Sequence, residues 1–210
     1  MNPMTSKQLE RALRGAADSA DLGRAMDGVL ARAEREGLID VAYAHVDSPF
    51  GDLLVARTDR GVVRLALPKH RGNQQSQDEV LDDLANYVSP RVLESPKRLD
   101  EERRELEAYF EGKRDHFDVA VDWSLTSTGF RSRALHAIAS IPYGETRSYG
   151  EVAKQVGNPR AFRAVGTACG RNPIPLIVPC HRVVQSGGAV GNYGGGPEMK
   201  RALLSLEGAL

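Results

Sequence analysis

The chain has 210 residues with no net formal charge, 41% of them hydrophobic and 27% charged. It can hold one sizeable domain or two small ones with a real core, and its ordinary apolar content argues against wholesale disorder. No apolar run approaches the ~18 residues of a membrane span, and the charged N-terminus has no secretory core, so no membrane partner and a cytoplasmic location are expected.

Residues 5–36 are rich in Ala, Leu, Arg and Glu. Leu9, Leu13, Ala16 and Ala17, then Leu22, Met26, Val29, Leu30 and Ala33, recur at helical spacing. Asp18 to Asp21 breaks the pattern, which predicts two short helices in a 1–40 extension, the second stopped by Gly37. From residue 41 the period changes. Val41–Val46, Leu53–Thr58 and Val62–Leu67 are short β runs joined by the turns at 47–52 and 59–61, which predicts an antiparallel meander. Residues 69–78 are polar and read as a mobile loop. Helices are predicted over Glu79–Tyr87 and Asp100–Phe110, with Gly112 stopping the second. Phe117–Val121 reads as a strand or an extended linker. The small polar stretch Ser124–Gly129 is a plausible boundary, so 41–124 is expected to be a small α/β domain and 125–210 a second domain.

The second half reads as mostly helical. Phe130–Ser140 carries Ala134, Leu135, Ile138 and Ala139 on one face. Ser148 can cap a short helix over Tyr149–Val156. Gly157 and Asn158 make a tight turn, and Pro159 suits the first turn of a following helix that runs to about Cys169. Helix, short glycine turn and helix make a helix-turn-helix. Its second helix offers Arg160 and Arg163 among Ala161, Ala164 and other small residues. Charge supports a polyanionic partner. Residues 125–210 hold ten Lys and Arg against four acids, so they carry +6 and residues 1–124 carry −6.

Chemistry points to Asn172–Arg182. Prolines at 173, 175 and 179 forbid a regular helix, and Ile174–Val178 reads as a buried extended segment that delivers Cys180 with His181 beside it. A core cysteine next to two polar residues is the bland alternative. The chain has two cysteines, Cys169 and Cys180, which excludes a disulfide framework and a four-cysteine zinc site. His45, His70 and His116 are too scattered to argue for a metal. After Cys180 comes the glycine-rich Gln185–Gly196, with Tyr193 as its large side chain and none of the Lys-Ser/Thr ending of a phosphate loop. A last helix is predicted from Pro197 to Leu206.

Six motifs in order resemble the O6-alkylguanine-DNA alkyltransferases. They are Arg147-Ser148-Tyr149, the run from Gly157 to Gly166, Arg171-Asn172-Pro173, Val178-Pro179-Cys180-His181-Arg182, Gly191-Asn192-Tyr193-Gly194-Gly195 and Leu206-Glu207-Gly208. The resemblance covers about 80 residues densely, fits 41–124 only in outline and leaves 1–40 outside. It implies a small N-terminal sheet with helices, then a helical catalytic and DNA-binding domain. It also implies DNA repair by one irreversible transfer of the alkyl group of O6-alkylguanine to Cys180, with O4-alkylthymine as a second candidate substrate.

By the same resemblance His181 is the base, Glu207 its partner, Asn172 a hydrogen-bonding residue of the site and Tyr149 a donor to the leaving guanine. Val183, Tyr193, Gly194 and Gly195 would line the pocket. Arg163, with Arg160, Ala161, Ala164 and Tyr149, would meet duplex DNA in the minor groove around a flipped nucleotide. No cofactor is implied, and a monomer is expected. Some relatives hold zinc through N-terminal cysteines, but this chain has no cysteine before 169. Neighbouring residues of an extended segment face opposite ways, so a water is expected between Cys180 and His181. A lesion sensor without chemistry, a cysteine hydrolase, and a thiol redox sensor using Cys169 are the competing readings.

Overall fold

The fold is that of a computed structural model, which describes residues 28, 31–68, 75–126 and 128–210. Two compact units are present, Met1–Ile39 and Asp40–Leu210. In the first, residues 31–35 are helical, and Gly37 takes the left-handed conformation (φ 63°) expected of a helix stop. The other helix predicted there, and most of the loop at 69–78, lie outside the described residues.

In the second unit the meander forms as predicted: β1 (Val41–Val46), β2 (Leu53–Thr58) and β3 (Gly61–Ala66) pair antiparallel. The sheet is nevertheless mixed, in the order β3-β2-β1-β4, because β4 (Val92–Glu94) adds parallel to β1. A parallel neighbour needs a crossover. Helix α1 (Gln77–Tyr87) supplies it, packing Val80 and Leu84 into a buried cluster with Val41, Leu54, Ala56 and Val63. The helix starts two residues before its predicted start because Ser76 and Glu79 form a capping box. Ser76 Oγ accepts from the Glu79 amide, and the Ser76 amide is bonded to Glu79.

Helix α2 (Asp100–Phe110) has its predicted bounds, and its Leu106 and Tyr109 are fully buried. Phe117–Val121 is neither a strand nor a free linker. Glu105 ties its start down, accepting from the Asp118 amide at 2.9 Å, and its end makes one parallel bridge from Val121 to Val62. That bridge crosses Gly61 (φ 131°), where a Cβ would overlap the Ala120 carbonyl.

The later part contains α3 (Phe130–Ala139), α4 (Tyr149–Gln155), α5 (Phe162–Gly170) and α6 (Gly196–Leu206). The predicted cap of α4 is present: Ser148 and Glu151 form a second capping box. Helices α3, α4 and α5 pack on one another, and Gly157 (φ 78°) makes the tight turn between α4 and α5. Helix α5 begins at Phe162, later than predicted. Pro159 and Arg160 belong to a separate turn closed by the Ala161 amide on the Asn158 carbonyl at 2.9 Å. A two-residue parallel pair, β5 (Arg147–Ser148) with β6 (Val183–Val184), ties the start of α4 to the chain beyond Cys180. Among the described residues no helix is long and apolar enough to cross a membrane.

Candidate active site

The segment delivering Cys180 is buried but not extended, which corrects the sequence reading. The Val178 amide reaches back to the Ile174 carbonyl at 2.9 Å, so 174–178 closes on itself as a turn. Leu176 at its centre has φ 73°, a left-handed conformation that costs a non-glycine residue about 1–2 kcal/mol. Pro175 and Pro179 forbid a helical continuation, while the Leu176 side chain is 1% exposed and anchors the turn by burial. A 3-10 turn, Cys180–Arg182, follows at once. The unfavourable alternation of an extended chain therefore does not arise, and Cys180, His181 and Arg182 all start from one tight turn.

Asn172 holds this turn together. Its Nδ2 donates to the Val178 carbonyl at 2.8 Å and to Cys180 Sγ at 3.2 Å, and its Oδ1 accepts from the Ile174 amide at 3.1 Å. Its own amide donates to the Cys169 carbonyl at the end of α5. The edge of the sheet is joined on as well, through the Leu65 amide on the Pro173 carbonyl at 2.9 Å. A displacement of α5 or β3 would thus be felt at the cysteine.

His181 is fully buried beside Cys180. Its Nε2 lies 2.8 Å from Glu207 Oε1, while its Nδ1 makes no hydrogen bond among the described residues. Arg182 grips both oxygens of Glu207, Nε to Oε2 at 2.8 Å and Nη2 to Oε1 at 3.0 Å, and sends Nη1 to the Ile141 carbonyl at 2.6 Å. Tyr109 adds a fourth bond, its hydroxyl donating to Oε1 at 2.6 Å. Burial opposes the charge on Glu207, but the bonds from His181 and Arg182 outweigh it and hold the carboxyl down to about 2. Burial also pushes the His181 imidazole below its ordinary value, despite the Glu207 bond. A neutral imidazole bonded to a carboxylate through Nε2–H leaves Nδ1 as an acceptor. Burial pushes the Cys180 thiol upward, opposed by the Asn172 bond and the Lys200 charge. At rest the site therefore holds a thiol, a neutral imidazole and a carboxylate.

Cys180 opens onto a cleft of about 1160 Å³, also lined by Tyr149, Arg163, Cys169, Asn172, Tyr193 and Gly194. Tyr149 is half-buried at the start of α4, its hydroxyl held up to about 12 by burial and then by the two thiols. Tyr193 sets its ring edge-on to His181, 6.2 Å between centroids. Val183 and Gly195 are not among the lining residues. Val183 is fully buried, and its carbonyl accepts from Lys200 Nζ at 2.6 Å. On α5, Phe162, Arg163 and Ala164 are exposed in the first turn, with the Arg163 guanidinium 5.6 Å from the Phe162 ring. Arg160 is exposed and Ala161 partly buried in the turn before it. Cys169 faces the same cleft. Among the described residues no group of three or more His, Cys, Asp and Glu is placed to hold a metal ion.

Arg182, Lys200 and Tyr109 are absent from the sequence expectations. All three are buried polar groups on Glu207 or on the chain beside Cys180. Arg182 sits inside a quoted motif, and Lys200 breaks the apolar face of a predicted helix, so both carried a signal. Tyr109 carried none beyond helical spacing.

Residues 41–123 match the ribonuclease-like domain of 6-O-methylguanine DNA methyltransferase, and residues 129–209 match its DNA-binding domain. The methylated-DNA–protein-cysteine methyltransferase of Methanosarcina acetivorans is 40% identical over 167 residues, which cover 80% of this chain and 98% of that protein. That of Mycobacterium bovis is 41% identical, covering 80% and 92%. The crystal structure of Mycobacterium tuberculosis OGT in complex with DNA superposes with a TM-score of 0.66 at 40% identity, covering 80% of this chain and 93% of that one. The O6-methylguanine-DNA methyltransferase of Pyrococcus kodakaraensis gives 0.58 at 26% identity, covering 80% and 99%. With Cys180 lining a cleft beside a helix-turn-helix and the His181–Glu207 pair buried behind it, the chain belongs to the methylated-DNA–protein-cysteine methyltransferase family.

Proposed function

We propose that Cys180 accepts the alkyl group of O6-alkylguanine in duplex DNA, once per molecule. The observation that carries this reading is the placement of Cys180 Sγ, held at 3.2 Å by Asn172 Nδ2 in a cleft with the His181–Glu207 pair beside it. Cys180 Sγ attacks the alkyl carbon in line, the carbon–sulfur bond forms, and the carbon–O6 bond breaks with its electron pair left on guanine. An ordinary cysteine, pKa about 8.5, is only a few per cent thiolate at neutral pH, and burial lowers that fraction here. The proton must leave as the attack proceeds. His181 Nδ1 takes it through a water, and Glu207 stabilises the imidazolium that results. Tyr149 hydrogen-bonds or protonates the departing guanine. The thioether has no hydrolytic exit, so the protein is consumed.

A guanine inside the duplex is out of reach, so the nucleotide must rotate out of the stack into the cleft. In this reading α5 enters the minor groove, Arg163 fills the vacated space, and Ala161 and Ala164 permit close approach while Arg160 meets the backbone. Exposure of Arg163 at the rim of the cleft supports that role. Tyr193 and Gly194 wall the pocket, with Val183 and Gly195 behind them. Residues 125–210 carry transfer and DNA binding, residues 41–124 buttress them, and the protein works as a cytoplasmic monomer without a cofactor.

The test is stoichiometry. A duplex carrying O6-methylguanine, in excess over protein, should lose one lesion per molecule and no more. Cys180→Ala should still bind that duplex and repair none. Continued turnover would contradict the reading, as would repair by Cys180→Ala.

A further inference from the structure

The carboxylate behind His181 receives a bond from a part of the chain far from the cysteine. Tyr109, near the end of α2, is fully buried and its hydroxyl donates to Glu207 Oε1 at 2.6 Å. That is the oxygen 2.8 Å from His181 Nε2, and the Tyr109 hydroxyl itself lies 3.5 Å from that nitrogen. The ring is placed by packing against Phe110, Phe117 and Tyr143, with centroids 5.5, 5.2 and 6.3 Å away. A phenylalanine would keep those contacts. What the hydroxyl adds is a donor on a charged acceptor, the stronger class of hydrogen bond.

We propose that Tyr109 is a positioning residue for alkyl transfer. Its hydroxyl fixes the Glu207 carboxylate and draws off negative charge that would otherwise fall on His181, keeping the imidazole neutral with Nδ1 open. The inference rests on the reading of Cys180, His181 and Glu207 given above. It gives the 41–124 segment a part in the chemistry, and it is independent of DNA contact.

The groups facing His181 fix the sign. Glu207 follows α6 and favours the imidazolium, whereas Arg182 in the same turn and Lys200 on α6 disfavour it. Cys180 precedes His181, Tyr193 approaches from the glycine-rich loop, and Tyr143 packs against both Tyr109 and Arg182. Tyr109 competes with His181 for one oxygen. Without its hydroxyl, Glu207 presents more charge to His181 Nε2–H and the imidazolium is favoured. A protonated His181 cannot accept the Cys180 proton, so the acid limb of the rate profile should move to higher pH, by about half to one unit. A more acidic phenol donates more strongly and should move the limb the other way.

The experiment measures single-turnover methyl transfer from an O6-methylguanine duplex across the pH range. The full chain is used, as wild type, Tyr109→Phe, Tyr109→3-fluorotyrosine and Glu207→Gln. Opposite shifts of the acid limb for the two Tyr109 variants, with Glu207→Gln slowed by at least roughly tenfold, would support the inference. The fluorinated residue retains the ring and its packing, so it gives a readout even where Tyr109→Phe folds poorly. Limbs that superimpose on wild type, with Glu207→Gln still slow, overturn the role of Tyr109 and leave the His181–Glu207 reading intact. Full rate in Glu207→Gln overturns that reading and the inference with it.

Discussion

Replacing Arg182 by Met removes the guanidinium that grips both oxygens of Glu207 and keeps a side chain of similar length in the space. The pair is buried, with side-chain exposures of 8% and 0%. Breaking such a pair from one side costs about 3–5 kcal/mol, because the remaining charge stays buried without its partner. Two features pull in opposite directions. Tyr109 and His181 still donate to Glu207, which softens the loss, while the Ile141 carbonyl loses its donor, which deepens it. A loss of roughly 3 kcal/mol is expected, a large share of the ~5–15 kcal/mol that a domain has.

Urea unfolding at neutral pH measures the loss, and acid gives a second check. The depressed Glu207 carboxyl contributes stability that is fully present above its ordinary value of 4.5 and is lost as pH falls toward about 2. Arg182→Met raises that carboxyl, so the gap between wild type and variant should close as pH falls through this window. Arg182→Met combined with Glu207→Gln should recover much of the loss, since no unpaired charge then remains. A loss below about 1 kcal/mol, the scale of an exposed ion pair, would refute the reasoning. So would a gap that stays constant in acid.

Two further substitutions separate the DNA face from the fold. Arg163→Ala should slow repair of a duplex lesion far more than reaction with free O6-benzylguanine, because the free base needs no flipping; equal losses would remove Arg163 from that role. Gly61→Ala should destabilise the protein by roughly 2–4 kcal/mol in thermal or urea melts, combining a left-handed backbone with overlap of the Ala120 carbonyl. A neutral result would mean that the Val62–Val121 bridge gives way easily.

Much of this architecture is legible from local pattern. The meander, α2 and the cap at Ser148 depend on alternation, helical spacing and short-range capping, and each falls where those rules put it. The start of α1 was legible too, in the Ser76–Glu79 spacing, but the polar run around it reads as loop. β4 was not legible. It is three residues long and is defined by a parallel partner about 50 positions away, which no local period records. Phe117–Val121 is likewise held by distant bonds. The prolines of 173–179 excluded a helix correctly, but not a turn stabilised by burying Leu176. At the site, Cys180, His181 and Glu207 were nameable from the motifs because their order in the chain is distinctive. Tyr109 was not, since its hydroxyl matters only once folding brings α2 against the end of α6.

The most direct measurement is peptide mass mapping of the protein after reaction with one equivalent of O6-methylguanine duplex. Cys180 and Cys169 face the same cleft, so the adduct itself must choose between them. Only Cys180 has the Asn172 side-chain bond and His181 at its shoulder, and burial pushes the Cys169 thiol up with no such pair beside it. The account predicts one added methylene, on Cys180, with Cys169 unmodified. A methyl group on Cys169, or repaired DNA with both cysteines unmodified, would contradict it.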